Sequence, residues 1–173
     1  TDQVVVATGA EPITLRGVQG HQRMVEAIDF LNGEKQVGHR VAVIGGGLTG
    51  CEIAYELALQ GKEPVIIEMK NDLVAQKGVC LANSSYLREW FALHGVPVHL
   101  ETTLTAVQED RVLCRDKDGR TVEMPCDSVI SSVGYVPKPL AGKGRNIRLV
   151  GDCKQVGNVK TVVWNAYEAA MKI

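Results

Sequence analysis

One segment constrains this chain more than any other: Val41-Ala42-Val43-Ile44-Gly45-Gly46-Gly47-Leu48-Thr49-Gly50-Cys51-Glu52. A short apolar run enters a cluster of glycines, and a helical pattern leaves it, running to Gln60 with Gly61 as its stop. Gly45, Gly47 and Gly50 occupy the three fixed places of G-x-G-x-x-G. Each place has a physical task. Gly45 permits the tight turn, Gly47 lets the backbone approach a pyrophosphate, and Gly50 lets the helix lie close to the strand. Pro64 to Glu68 (PVIIE) then reads as the next strand, which completes a β-α-β unit of about thirty residues, the size of a parallel crossover.

The same segment predicts a ligand. Amide groups at the start of the helix, from Gly46 through Leu48 and Thr49, have no helical acceptor, and the helix dipole favours an anion there. Glu68 ends the following strand, where an acid accepts hydrogen bonds from an adenosine ribose. Its charge would repel a 2'-phosphate by about 4 kcal/mol per charge pair at ~4 Å and an effective dielectric near 20. That favours NAD(H) over NADP(H). Met69 and Lys70 follow directly, and the Lys70 cation pulls the other way, since it could bind a phosphate.

The remaining pattern extends an α/β reading. Val4 to Ala7 is a strand running into Thr8-Gly9-Ala10-Glu11-Pro12, and Met24 to Leu31 carries apolar residues at helical spacing. Residues 71 to 78 read as a polar loop, and Val79 to His94 as a helix whose aromatic residues pack in the core. From Val96 the period becomes two, with Asp118-Gly119 as a hairpin signal, which predicts an antiparallel meander. Ser128 to Gly134 and Ile147 to Val150 are further strands, and Thr161 to Ile173 a closing helix. The expected fold is a Rossmann-like FAD/NAD(P)-binding three-layer α/β fold with a parallel sheet and an antiparallel β-meander.

Composition removes other classes. In 173 residues, 19 Lys plus Arg against 20 Asp plus Glu give a formal charge of -1 with no basic block, which argues against nucleic acid or an anionic membrane as partner. No apolar run reaches the ~18 residues of a membrane span, and no signal-peptide pattern opens the chain, so a soluble, cytoplasmic protein is expected. The five cysteines (Cys51, Cys80, Cys114, Cys126, Cys153) lack a C-x-x-C pair, and the four histidines lack metal-ligand spacing. Neither a metal site nor a catalytic side chain is expected, and at least four of the thiols read as ordinary buried or half-buried residues.

Four motifs in order, VVVATGAEP, VAVIGGGLTGCEIA, DSVISSVGYVP and LVGDC before a helix, resemble the pyridine-nucleotide half of two-dinucleotide flavoproteins similar to glutathione reductase. The closing segment GDCKQVGNVKTVVWNAYEAAMKI resembles the C-terminal region of old yellow enzyme-like NADH:flavin oxidoreductases. That group holds 2,4-dienoyl-CoA reductase, 2-enoate reductase, the bile-acid-inducible oxidoreductases and trimethylamine dehydrogenase. The resemblance implies that residues 1–36 are a flavin-domain strand, turn and connecting helix, residues 37–137 an NAD(H)-binding domain, and residues 138–173 the rest of the flavin domain. It also implies that the first FAD fingerprint belongs upstream of Val4, so the chain is a slice of a longer polypeptide and its main partner, besides the dinucleotide, is the remainder of that polypeptide.

By the same resemblance Glu52 and Gly134 lie near the nicotinamide, Thr8 and Gly9 flank FAD, and Gly151 with Asp152 meets the ribityl chain. Thr161 and Val162, at the start of the last helix, face the flavin. FMN and a 4Fe-4S cluster belong to the N-terminal part of such enzymes. Electrons would pass from NADH to FAD, through the cluster to FMN, and on to an activated C=C bond. The alternative is a structural ADP-binding module without hydride transfer, as the likeness to trimethylamine dehydrogenase allows.

Overall fold

The computed structural model describes residues 3–75, 78–142 and 144–172. In chain order the strands and helices are β1 (Val4–Val6), β2 (Ala10–Pro12), β3 (Val25–Glu26), α1 (Ala27–Leu31), β4 (Arg40–Ile44), α2 (Leu48–Leu59), β5 (Glu63–Ile67) and α3 (Leu81–His94). They continue with β6 (Val98–His99), β7 (Thr103–Val107), β8 (Arg111–Arg115), β9 (Thr121–Pro125), β10 (Ser128–Ser131), β11 (Tyr135–Pro137), β12 (Ile147–Leu149) and α4 (Val159–Ala170). The chain divides into two compact units, Thr14–Val133 and the pair of ends Thr1–Ile13 with Gly134–Ile173.

The central unit has three layers. A parallel sheet in the order β3-β10-β4-β5-β6 lies between helices and an antiparallel β7-β8-β9 meander. Alternation along β4 explains its unbroken apolar run: Val41 and Val43 join Ile53, Leu57, Leu87 and Phe91 on the helix side, while Ala42 and Ile44 join Leu104, Val112, Cys114 and Met124 on the meander side. A strand covered on both faces needs no polar alternation. The expected hairpin forms between β8 and β9. Asp116 Oδ1 accepts from the amides of Asp118 and Arg120 at 3.0 and 2.8 Å, and Gly119 takes φ +80°.

Several boundaries differ from those read in the sequence. The helix expected over Met24 to Leu31 is confined to α1, because Val25 and Glu26 pair with Ile130 and Ser131 and so complete the sheet edge. Residues 14–36 accordingly belong with the central unit rather than with the ends. Gln19 accepts the Val107 amide at 2.8 Å, and a Cβ on Gly20 would stand 2.1 Å from the Val107 carbonyl oxygen. Residues 134–137 go with the ends, where β11 pairs antiparallel to β2. Pro12 therefore closes a short strand rather than a plain turn.

Residues 71 to 78, read as a polar loop, place Leu73 and Val74 in the core, with residues 76 and 77 outside the described part. The aromatic helix is only partly buried: Leu87 and Phe91 lie inside, while Tyr86 and Leu93 face out. In the ends, β1 and β12 pair in parallel, and α4 starts two residues before the predicted Thr161. Ile173, the predicted end of that helix, lies outside the described residues.

Candidate dinucleotide-binding site

β4 delivers the glycine turn at the carboxyl edge of the sheet, between β5 on one side and β10 on the other. Strand order reverses there, with the next crossover strand on one side and the last on the other, which opens a crevice above the edge. Gly45 has φ +104°, and a Cβ on it would lie 2.3 Å from the Ser132 carbonyl oxygen. A Cβ on Gly50 would lie 1.9 Å from the Gly45 carbonyl oxygen. Both glycines are thus demanded by close approach within the protein, before any ligand is considered. Gly47 is the N-cap of α2 in extended conformation, and the first helical bond runs from the Cys51 amide to its carbonyl at 3.0 Å. The amides of Leu48, Thr49 and Gly50 precede that bond and point out of the helix start.

Glu68 is only 8% exposed, a degree of burial uncommon for a carboxylate. Its Oε2 accepts the Gly46 amide at 2.6 Å and its Oε1 accepts the Lys70 amide at 2.8 Å. These bonds fix the acid at the lip of the turn, and each oxygen keeps a lone pair for a further donor. Lys70 and Met69 are exposed beside it, Met69 at 71%.

The reading of residues 71 to 78 as a polar loop missed the next layer. Leu73 packs on Gly46, where a Cβ would stand 2.5 Å from Leu73 Cδ2. The Val74 amide, on a residue with φ +50°, donates to the Gly46 carbonyl at 2.7 Å. From α3, the Arg88 guanidinium donates to the Leu73 carbonyl and forms a salt bridge to Asp72 at 2.8 Å. The segment after β5 therefore caps the turn and is tied to a helix distant in sequence. A pair of apolar residues in an otherwise polar loop was the available signal.

Cys51 lies under the turn, donating from Sγ to the Gly46 carbonyl at 3.4 Å, and burial pushes its thiol up to about 12. Burial likewise raises Cys114 to about 11 and raises Cys126. Four of the five cysteines are buried and Cys80 is exposed. A raised thiol is a poor nucleophile near neutral pH, so Cys51, Cys114 and Cys126 act as packing groups. Among the described residues, no group of three or more His, Cys, Asp or Glu side chains could hold a metal ion.

The structure brings Gly45 to Gly50, Glu68 and Lys70 together at one edge. Glu52 is exposed on α2. The remaining predicted contacts belong to the ends. Thr8 Oγ1 donates to the Lys138 carbonyl at 2.9 Å, Gly9 turns at φ +77° and Gly134 at +99°. Gly151 is buried at φ +65° with Val162 against it. One Asp152 oxygen accepts the Gly157 amide at 3.1 Å. Asn158 and Thr161 form a reciprocal capping box, so the Thr161 amide is already taken by Asn158 Oδ1 at 3.0 Å.

Residues 1–162 match the family described as pyridine nucleotide-disulphide oxidoreductase. The chain belongs to that family. Nicotinamide dinucleotide binding is a property of that family. Among relatives, the chain is 35% identical over 99% of its length to "Cinnamate reductase" of Clostridium sporogenes, of which it covers 26%. It is 29% identical over 99% of its length to "NADH oxidase" of Thermoanaerobacter brockii, covering 28% of it.

Of solved structures, a 2-naphthoyl-CoA reductase complex aligns at TM-score 0.84 with 23% identity, over 99% of this chain and 27% of that one. Histamine dehydrogenase from Rhizobium sp. 4-9 aligns at 0.79 with 13% identity, over 99% and 30%. At these identities the structures speak for the fold. The resemblance to old yellow enzyme-like flavin oxidoreductases holds, and the chain spans about a quarter of the length of these curated relatives. Among the described residues, no helix is long and apolar enough to cross a membrane.

Proposed function

We propose that the chain is the NAD(H)-binding part of a larger flavin-dependent oxidoreductase that passes hydride from NADH to FAD and on to FMN for reduction of an activated C=C bond. The observation that carries the nucleotide half of this reading is the Glu68 carboxylate, anchored by two backbone amides at the edge of the glycine turn. Ribose hydroxyls can donate to it. A 2'-phosphate would meet a charge that cannot rotate away without leaving the Gly46 amide unpaired, and this supports NAD(H) over NADP(H).

The residues present fit the dinucleotide. The α2 amides would hold the diphosphate, the absent side chains at Gly45 and Gly50 keep the turn close to the sheet, and Glu68 would hold the adenosine ribose. The nicotinamide, when bound, supplies hydride chemistry; the protein's share is to bind and orient it. In the ends, Gly9, Gly151 and Asp152 form turns suited to a flavin. Thr161 and Val162 would contribute surface rather than a free amide, since Asn158 occupies the Thr161 amide. FAD, FMN and an iron–sulfur cluster would require the rest of the polypeptide, as would the C=C substrate, and a cytoplasmic location follows the same reading.

Titration of the chain with NADH, NADPH and ADP tests the proposal. NADH should bind at least tenfold tighter than NADPH, and Glu68→Ala should erase the difference. Equal binding of ADP and NADH would favour a structural ADP-binding module, and no binding below millimolar concentrations would overturn the nucleotide reading.

A further inference from the structure

One row of residues crosses the parallel sheet immediately beneath its carboxyl edge: Glu26 on β3 pairs with Ser131 on β10, Ser131 with Ile44 on β4, Ile44 with Ile67 on β5, and Ile67 with His99 on β6. Residues paired in register across a parallel sheet present their side chains to the same face. In the middle of this row the side chains are apolar, and Ile44 and Ile67 join the meander-side core. At the β10 and β3 end the row becomes polar.

Ser131 is 2% exposed, and among the described residues its hydroxyl has no hydrogen-bond partner. An orphan hydroxyl at such depth carries a desolvation cost and calls for a functional account. Its register partner, Glu26, is half-buried and makes no side-chain cap to α1, which it precedes. Burial, and after it the neighbouring Asp29, raise the Glu26 carboxyl above its ordinary value, and the nearby Ser131 hydroxyl opposes that shift without closing a hydrogen bond to it. Among the described residues Glu26 has no side-chain hydrogen bond or ion pair, and it stands at the sheet edge two strands from the glycine turn on the side opposite Glu68, roughly 10 Å away at the ordinary strand spacing.

This row rests on the dinucleotide reading above. With the adenosine ribose at Glu68 and the diphosphate at α2, the other half of the molecule extends over β10 toward β3. Its ring carries a carboxamide with an N–H donor, the complement of an uncommitted carboxylate. We propose that Glu26 recognises the nicotinamide carboxamide by accepting its N–H, and that Ser131 is a positioning residue whose unpartnered hydroxyl donates to the Glu26 carboxylate when the dinucleotide is bound and holds it toward the crevice. The pair distinguishes a full dinucleotide from its adenosine diphosphate half, a task the glycine turn and Glu68 cannot perform.

The test compares binding of ADP, NADH and reduced 3-acetylpyridine adenine dinucleotide, whose acetyl group lacks the N–H. The wild-type chain should bind NADH about tenfold tighter than the acetylpyridine analogue, the worth of one such hydrogen bond. Glu26→Ala should abolish that preference and leave ADP affinity within about twofold. Ser131→Ala should reduce the preference in part, and Ser131→Thr, which keeps a hydroxyl, should restore it. A Glu26→Ala chain that still prefers NADH overturns the proposal, and so does one that loses ADP and NADH affinity equally, the mark of a purely structural role. Should Glu26→Ala fail to fold, the wild-type comparison decides: equal affinity for NADH and its acetyl analogue is fatal. A wild-type chain that binds ADP without distinguishing the analogues overturns this proposal alone, whereas one that binds none of the three nucleotides overturns the dinucleotide reading and this proposal with it.

Discussion

Helices α2 and α4 have the same length and opposite circumstances. α2, in the central unit, has no side-chain cap, yet it buries Gly50, Cys51, Ile53, Ala54 and Leu57. α4, in the ends, carries a complete capping box and buries nothing, while Val159, Val163, Trp164, Tyr167 and Met171 are all more than half exposed. Capping satisfies the first amides of a helix, but it does not supply the apolar contacts that give most helices in proteins their stability. The central unit is therefore organised by its core, whereas in the ends α4 rests on its cap and the strands on the β1–β12 and β2–β11 pairings.

The largest expected effect sharpens this contrast. Phe91→Ala, at 1% exposure in α3, should cost about 4 kcal/mol of stability in denaturant melts, while Trp164→Ala in α4 should change it by no more than about 0.5 kcal/mol. A large loss at Trp164 would break the comparison and show that the ends possess a core of their own. Gly50→Ala comes next, because its Cβ would collide with the Gly45 carbonyl oxygen. It should destabilise the chain by about 3 kcal/mol and weaken ADP and NADH alike in calorimetric titrations.

Glu68→Ala leaves the buried Gly46 amide without its acceptor and should cost about 2 kcal/mol in the same melts. The smallest effect concerns Asp127, held down to about 2 chiefly by the Arg40 guanidinium. A carboxyl depressed by folding contributes stability above its unfolded value near 4, and that contribution is lost as pH falls through about 2. Melts of wild type and Asp127→Asn should therefore differ at pH 6 and converge toward pH 2. A gap that persists at pH 2 would assign Asp127 a role other than the ion pair.

Legibility followed the range of the interactions. The β4-turn-α2 unit and the strand leading to Glu68 lie within one local stretch, where periodicity and glycine spacing report directly on structure. The meander was legible for the same reason. Residues 24–31 misled because their helical spacing is real, but Val25 and Glu26 find a strand partner in β10, and pairing with a distant strand overrides local pattern. Leu73 and Val74 sit in a segment whose composition says loop; only Arg88 and Gly46, from two separate elements, draw it over the turn.

By itself the sequence determined that this chain builds a parallel α/β sheet with a glycine turn, an acid at the end of the next strand, and a meander behind. These follow from nearest-neighbour chemistry: where φ must be positive, where a face must be apolar, and where amides are left unpaired. Tertiary structure alone decided that residues 14–36 complete the central unit, that the Glu68 carboxylate is locked onto the turn, and that Glu26 and Ser131 share a row at the sheet edge. Those facts depend on register between strands far apart in the chain, which the fold sets by burying all its apolar faces at once.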